Sequence, residues 1–511
     1  MTHFSQPQRP EPLWRVNVEL PTFSQLDKDL ETEVAIVGAG IAGITTAYLL
    51  QQEGMKVTII DSGKILNGTT GHTTAKVTIQ HGLIYDEFIS HFGLEKTKIY
   101  YQANQNALEW IKNIIHKQNI DCNWSEEDAI IYTNSHQYLQ KLVNEGKAYE
   151  KLNIPYEFLE EIPMDIQTIG AIAVKNQAQY HPLKYLINLV KTLVQNEANI
   201  FENTTAINIE EGNQPRIITR EGKVIKAKHV IVCSHFPFLW RGLYFARMYA
   251  ERAYVVAAKT EKEYPGGMYI TAEDPTRSLR EVEYNGEKVV LFIGENHKTG
   301  QGIPTMEHYH ALEQFANKTF GIKEYLFRWS TQDLTTLDKL PYVGHLSENQ
   351  PNIYVATGFR KWGMTNSTAA AHLIKDLIVD NENPYKEVVT PTRFQADPNI
   401  RKLISINFDV ATHLVKGKLE APSKTIDDLV KGEGAVVQYE GERKGAYKDE
   451  NGFIHVVDTT CTHLGCELEW NSGDRTWDCP CHGSRFSCKG EVIEGPAERS
   501  LSYKTNKINE K

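Results

Sequence analysis

The stretch that most restricts what this chain can fold into runs from Thr32 to Asp61, TEVAIVGAGIAGITTAYLLQQEGMKVTIID. Val34 to Val37 are a short apolar run, which reads as a buried strand. Gly38, Gly40 and Gly43 follow in G-x-G-x-x-G spacing. Ile41 to Glu53 are helix formers with apolar residues on one face, Gly54 stops them, and Lys56 to Ile60 form a second strand ending at Asp61. Each glycine has its own physical task. Gly38 permits the tight turn, Gly40 lets backbone amides approach a pyrophosphate, and Gly43 lets helix and strand pack closely. The pyrophosphate would then sit on the positive end of the helix. Asp61, eighteen residues past Gly43, is placed to accept hydrogen bonds from ribose hydroxyls. A glycine-rich turn alone would not demand strand, turn, helix, strand and acid in this order.

Two further stretches bear on which dinucleotide is bound. NGTTGHTTAKVTIQHGLIY, residues 67 to 85, is rich in Gly and Thr and reads as a loop that meets cofactor or substrate. Near residue 350, the apolar strand Ile353 to Ala356 ends at Thr357-Gly358, a turn follows at Gly363, and a helix of small residues runs from Asn366 to Ile378. Its N-terminus could face a second polar part of a long ligand. Together with HVIVCSHF (229 to 236) and RWSTQDLTTLDKLPYVG (328 to 344), these pieces resemble the D-amino-acid-oxidase-like, glycine/sarcosine oxidase-type family of FAD-dependent oxidoreductases over roughly residues 30 to 385. The resemblance implies an FAD site built from Gly38, Gly40, Gly43 and Asp61, from Thr69, Thr70, His72 and Thr73, and from Gly358, Gly363, Met364 and Thr365. In some relatives a histidine in a context like GTTGH carries FAD covalently; here His72 reads first as a loop histidine bonded to flavin or backbone. No second glycine motif marks a nicotinamide domain, which favours a small-molecule electron donor.

The remaining constraint is near the C-terminus. CTHLGC (461 to 466) and CPCHGS (479 to 484) hold four of the seven cysteines and two histidines. Cys461-x-His463 and Cys479-x-x-His482 would suit zinc. Each loop also has a spare cysteine, Cys466 and Cys481, which zinc would not need. Two cysteines on one iron and two histidines on the other is the [2Fe–2S] set of a Rieske centre. The loops, with EGPAERSL at 494 to 501, resemble Rieske proteins of the cytochrome bc type. That resemblance implies a Cys466–Cys481 disulfide clamping the loops, and Ser484 hydrogen-bonded to a cluster sulfide. It also puts Phe486 where high-potential relatives have tyrosine, and histidine outer nitrogens at the solvent. The missing hydroxyl predicts a potential below the respiratory class and above a four-cysteine ferredoxin.

The expected fold is thus an α/β Rossmann-type FAD-binding domain with an interleaved α+β substrate domain and a small all-β Rieske domain. Boundaries are expected at 1–30 for an N-terminal extension and 31–393 for the oxidoreductase. Within the latter, FAD segments fall near 31–86, 200–244 and 331–385, and substrate segments near 87–199 and 245–330. A linker helix and hinge then spans 394–424, and the Rieske domain 425–511. In the linker, Ile400, Leu403, Ile404, Phe408, Ala411, Leu414 and Val415 recur at helical spacing, as expected of a helix docked on the protein or, less simply, on a membrane surface.

A net charge of −10 argues against nucleic-acid partners. The N-terminal stretch MTHFSQPQRPEPLWRV has no apolar run, and no segment of about 18 apolar residues occurs, so a cytoplasmic protein without transmembrane span is expected. Only residues 483 to 511 follow His482, too few for the mononuclear iron domain of a Rieske oxygenase. Electron counting joins the modules: a flavin takes a pair of electrons from an organic donor, whereas a Rieske cluster takes one. The expectation is an FAD-dependent dehydrogenase that oxidises a small amine or amino acid and passes electrons through the cluster to an external quinone, protein or small-molecule acceptor. The alternative is a non-catalytic or redox-sensing carrier. Arg280 is the candidate clamp for a substrate carboxylate, against a plain surface ion pair.

Overall fold

The protein is described by a computed structural model covering residues 10–239, 242–393, 396–419, 422 and 424–507. The glycine-rich unit forms β1 (Leu30–Val37), α1 (Ile41–Gln52) and β2 (Val57–Ile60). β1 pairs in parallel with β2 and with Val224–Val232, which pairs in parallel with Ile353–Thr357. Asn199–Phe201 extends the sheet beyond β2, and Tyr342–His345 closes the opposite edge antiparallel. Near-continuous apolar strands are what a sheet covered on both faces requires. The expected one-sided helix is instead buried throughout Ile41–Leu50, Thr45 and Thr46 included. It packs between the sheet and the helix Gly363–Ile378, and Thr46 satisfies its hydroxyl by donating to the Ala42 carbonyl at 2.7 Å.

A second sheet of nine strands carries the interleaved region. It runs from Ile322–Thr336 through Met248–Thr260, Glu287–Lys298 and Arg277–Tyr284 to Met268–Thr271, Ser125–Thr133, Gly170–Gln179 and Lys76–Val77, with the ninth strand, Glu157–Leu159, paired to Gly170–Gln179. Strand pairing puts the crossings between sheets elsewhere than composition suggested. Lys76–Val77 already belongs to this sheet, and the strand Ile322–Thr336 runs without a break past residue 331. The N-terminal extension is tied down: Leu13 and Trp14 are buried, and Trp14 Nε1 donates to the Thr73 carbonyl at 2.7 Å.

The C-terminal region is all β beyond a short 3-10 turn, with one five-stranded and one four-stranded sheet. Between the two halves lies the linker helix Ala396–Leu419. Val410 and Leu414 pack against the core that contains Cys461, Cys466 and Cys481. Asn407 donates to the Ala246 carbonyl at 3.2 Å, and Asp409 pairs with Lys298 at 2.9 Å. The docked face therefore differs from the apolar periodicity: Ile404 and Phe408 are 66% and 74% exposed. The polar anchors Asn407 and Asp409 fix the helix's rotation, at the cost of leaving these two side chains in water. Ile400 and Val415 lie outside the side chains described.

Candidate functional site

The glycine unit opens into one cavity of about 1470 Å³, whose wall includes Gly38, Gly40, Asp61, Thr69, Thr70, His72, Thr73, Gly363 and Met364. Gly38 has φ +106°, and a Cβ there would lie 2.5 Å from the Cys233 carbonyl oxygen. A Cβ on Gly43 would lie 1.9 Å from the Gly38 carbonyl oxygen, so Gly43 serves helix–strand packing and stands behind the wall. Asp61 accepts from the Ala39 and Gly63 amides at 2.8 and 2.9 Å, and burial pushes its carboxyl upward. Its oxygens keep further lone pairs for a ribose. These residues fit the ADP half of FAD: a side-chain-free turn, a helix start and an acid on one cavity wall.

The Thr-rich loop forms the next part of the wall. Thr70 Oγ1 accepts from the Ile41 amide at 3.0 Å, Thr69 donates to the Gln332 carbonyl at 3.2 Å, and Thr73 Oγ1 accepts from the Ala75 amide at 3.1 Å. His72 Nδ1 lies 2.9 Å from the Gly68 carbonyl oxygen, and burial lowers its pKa. Two expected contacts are set back from the cavity. Gly358, at φ +75°, packs where a Cβ would meet Thr336 at 2.5 Å, and Thr365 donates to the Thr78 carbonyl at 3.2 Å. Arg280 is neither a clamp nor a surface ion pair. It is 1% exposed, its guanidinium donates to the Thr74 carbonyl and lies 5.4 Å from the Trp14 ring centroid, and it does not line the cavity. Ser278, two residues earlier on the same strand face, does line it. The loop through Thr73–Lys76 covers Arg280 instead, so the arginine holds that loop.

Chemistry at the far end comes from residues that no motif announced. Lys76 and Lys361 line the cavity with Glu251 and Asp333. Lys76 Nζ donates to the Tyr269 carbonyl at 3.3 Å, and burial, reinforced by the Arg280 charge, pulls its pKa down to about 7. Burial also lowers Lys361 and pushes Asp333 up to about 7. Asp333 is buried, Lys76 and Glu251 are half-buried and Lys361 is exposed; two lysines and two carboxyls on one cavity wall suit a small ligand carrying both charges. Lys361 was legible as a cation in the turn before Gly363. Asp333 and Glu251 sit on long strands and gave no local signal.

The two cysteine–histidine loops come together in the four-stranded part. Each closes on itself: the Cys461 amide donates to the Cys466 carbonyl at 2.8 Å, and the Cys479 amide to the Ser484 carbonyl at 2.8 Å. Cys466 and Cys481 form a disulfide with Cα atoms 6.5 Å apart. The rings of His463 and His482 stand edge-on with centroids 5.1 Å apart, and His482 Nδ1 is buried without a hydrogen bond, as a metal ligand atom should be. The neighbouring Cys479 thiol holds the Cys461 thiol below the ordinary thiol range. Two neighbouring thiols and two adjacent imidazoles, brought together by the paired loops, are a donor set that fits a Rieske [2Fe–2S] cluster. Ser484 accepts from the Ala497 amide at 3.0 Å, which leaves its proton to point toward the sulfur side, and Phe486 is fully buried beside Cys461 and Cys479. The two histidines differ in exposure: His463 is half-buried, whereas His482 is buried. His482 is 4% exposed, and Phe245 meets both rings edge-on, with centroids 5.9 Å from His482 and 6.4 Å from His463.

The cluster loops are seated on the cofactor half. Gln332 Nε2 donates to the Gly483 carbonyl at 2.9 Å, while the backbone carbonyl of the same residue accepts from Thr69. Arg252, fully buried, lies 3.3 Å from Asp474, 3.5 Å from Glu494 and 3.8 Å from Asp478. A Cβ on Gly300 would lie 2.7 Å from Pro480 N, and one on Gly483 would lie 2.4 Å from Ala250 Cβ. At Gly300 backbone meets backbone, and at Gly483 the cluster loop packs against the Ala250 and Gln332 side chains.

Residues 33–377 match the family model for FAD dependent oxidoreductases, and residues 421–505 match that for the Rieske [2Fe-2S] domain. The chain belongs to the FAD-dependent oxidoreductase family and carries a Rieske domain; its cofactors are FAD and a [2Fe–2S] cluster. Its relation to one particular protein spans both modules: it is 51% identical over 500 residues, 98% of each chain, to YhfW of Bacillus subtilis, which bears a Rieske 2Fe-2S iron-sulfur name. The Rieske part is 35% identical over 108 residues to the cytochrome b6-f complex iron-sulfur subunit of a Synechococcus strain, covering 21% of this chain and 54% of that one. The oxidoreductase part shares its fold with glycine oxidase from Geobacillus kaustophilus, at TM-score 0.60 and 18% identity, over 71% of this chain and 99% of that one. Among the described residues no helix is long and apolar enough to cross a membrane.

Proposed function

We propose that this protein is a dehydrogenase that oxidises a small amine or amino acid and passes the electrons one at a time through the Rieske cluster to an external acceptor. The observation that carries the reading is the seam: Gln332 bonds the cofactor loop at Thr69 on one side and the cluster loop at Gly483 on the other. The seam serves electron passage, and the charged groups Lys361 and Asp333 on the cavity wall favour a substrate site over a plain carrier.

When bound, FAD would supply the acceptor for a hydride leaving the carbon that bears the nitrogen. The protein's own residues do the rest. Lys361 and Lys76 offer ammonium groups to a substrate carboxylate. The Asp333 carboxylate takes the proton that a substrate ammonium must lose before its carbon can release hydride. Burial excludes water around Asp333 and strengthens its interactions, while Lys361 reaches the site from the exposed part of the wall. Arg280 positions the loop through Thr74. Mixing with a panel of amines and amino acids without oxygen tests the reading: flavin bleaching followed by the EPR signal of a reduced Rieske centre is expected. Bleaching by dithionite or a protein donor alone would sink it.

A further inference from the structure

We infer that the FAD site extends into the Rieske domain, with the segment Glu491–Glu498 closing the cofactor groove, so that holding FAD and seating the domain are one linked event. The wall of the cavity supports this. Gly38, Gly40 and Asp61 line one side, and Arg485, Glu494 and Pro496 line another. The family fold alone, residues 33–377, supplies none of the latter three. Ile493, 49% exposed, marks the rim where cavity and solvent meet.

The segment is held from both directions. Toward the cofactor half, Arg220 donates to the Glu498 carbonyl, and Arg252 reaches Glu494 at 3.5 Å. Toward the cluster, the Ala497 amide donates to Ser484 at 3.0 Å, and Arg485 pairs with Glu494 at 3.2 Å. Arg252, Arg485, Asp474, Asp478 and Glu494 are all largely buried; the last four belong to the Rieske domain and pair among themselves, so separating the domain would take from Arg252 the three carboxylates it now meets. A ligand enclosed by two bodies stabilises their contact by the same factor by which the contact stabilises the ligand.

The full-length protein, with FAD and after FAD removal, provides the test, with the Rieske EPR signal verifying the cluster in both forms. Amides of residues 491–498 should exchange hydrogen about tenfold more slowly with FAD bound, while those of the distal strand Phe453–Val457 stay unchanged. Equal exchange in both forms overturns the inference. Arg252→Gln should release FAD about tenfold faster with its Rieske signal retained; unaltered release would equally overturn it. Should that variant fail to fold, the exchange comparison on the unaltered chain decides alone.

Discussion

Asp333 illustrates what burial does to a single side chain. Its folded pKa of about 7, against an ordinary value of 3.8, follows first from desolvation; Glu251 and Glu494 push it further, and Lys361 and Arg252 oppose them. A base must be ionised to take a proton, so flavin reduction by substrate should rise with pH through about 7 and level off above it. Asp333→Asn should remove that limb and slow flavin reduction roughly 100-fold, within the range of positioned bases, as read by stopped-flow absorbance. A second single-residue expectation concerns Phe486, buried beside the ligand cysteines. Phe486→Tyr adds a donor near cluster sulfur and should raise the midpoint potential by roughly tens of millivolts, measured by protein-film voltammetry. A fall in potential would remove the hydroxyl argument. Arg280 carries the opposite lesson. The sequence showed an arginine within the substrate segment 245–330, but not that Trp14 and the Thr73–Lys76 loop would cover it.

Among the elements, the turn between β1 and α1 was the most legible, because its glycines answer to distances of one atom. Gly43→Ala would place a methyl 1.9 Å from the Gly38 carbonyl oxygen. The expected result is a loss of about 3 kcal/mol in stability together with lost FAD retention, seen by thermal unfolding and by flavin absorbance after gel filtration. The cluster loops were equally readable, since ligand chemistry fixes residue types and spacing. The linker helix was read less well: its apolar period marked Ile404 and Phe408, but hydrogen bonding by Asn407 and salt-bridging by Asp409 turned those residues outward. The long strands were least informative. Arg252, Gln332 and Asp333 carry the seam and the far end of the cavity, yet each is one polar residue in an extended run. Only the pairing of strands far apart in sequence gives it a partner.

At the scale of the molecule, the seam through Gln332 predicts how the two centres are coupled. Gln332→Leu removes the bond to Gly483 and leaves that carbonyl buried without it. Cluster reduction should slow about tenfold, ~1.4 kcal/mol on the barrier, and by more than flavin reduction does, in rapid-mixing experiments that follow both chromophores. Equal slowing of both steps would assign Gln332 to general stability instead. The glycine contacts at Gly300 and Gly483 bear on a different quantity. With the cluster loops packed closely enough at both glycines to leave no room for a Cβ, the cluster domain has no slack in which to swing between donor and acceptor, as a tethered shuttle must. The internal hop should therefore be indifferent to friction: thickening the medium with sucrose or glycerol ought to leave its rate unaltered, while slowing only the arrival of the external acceptor.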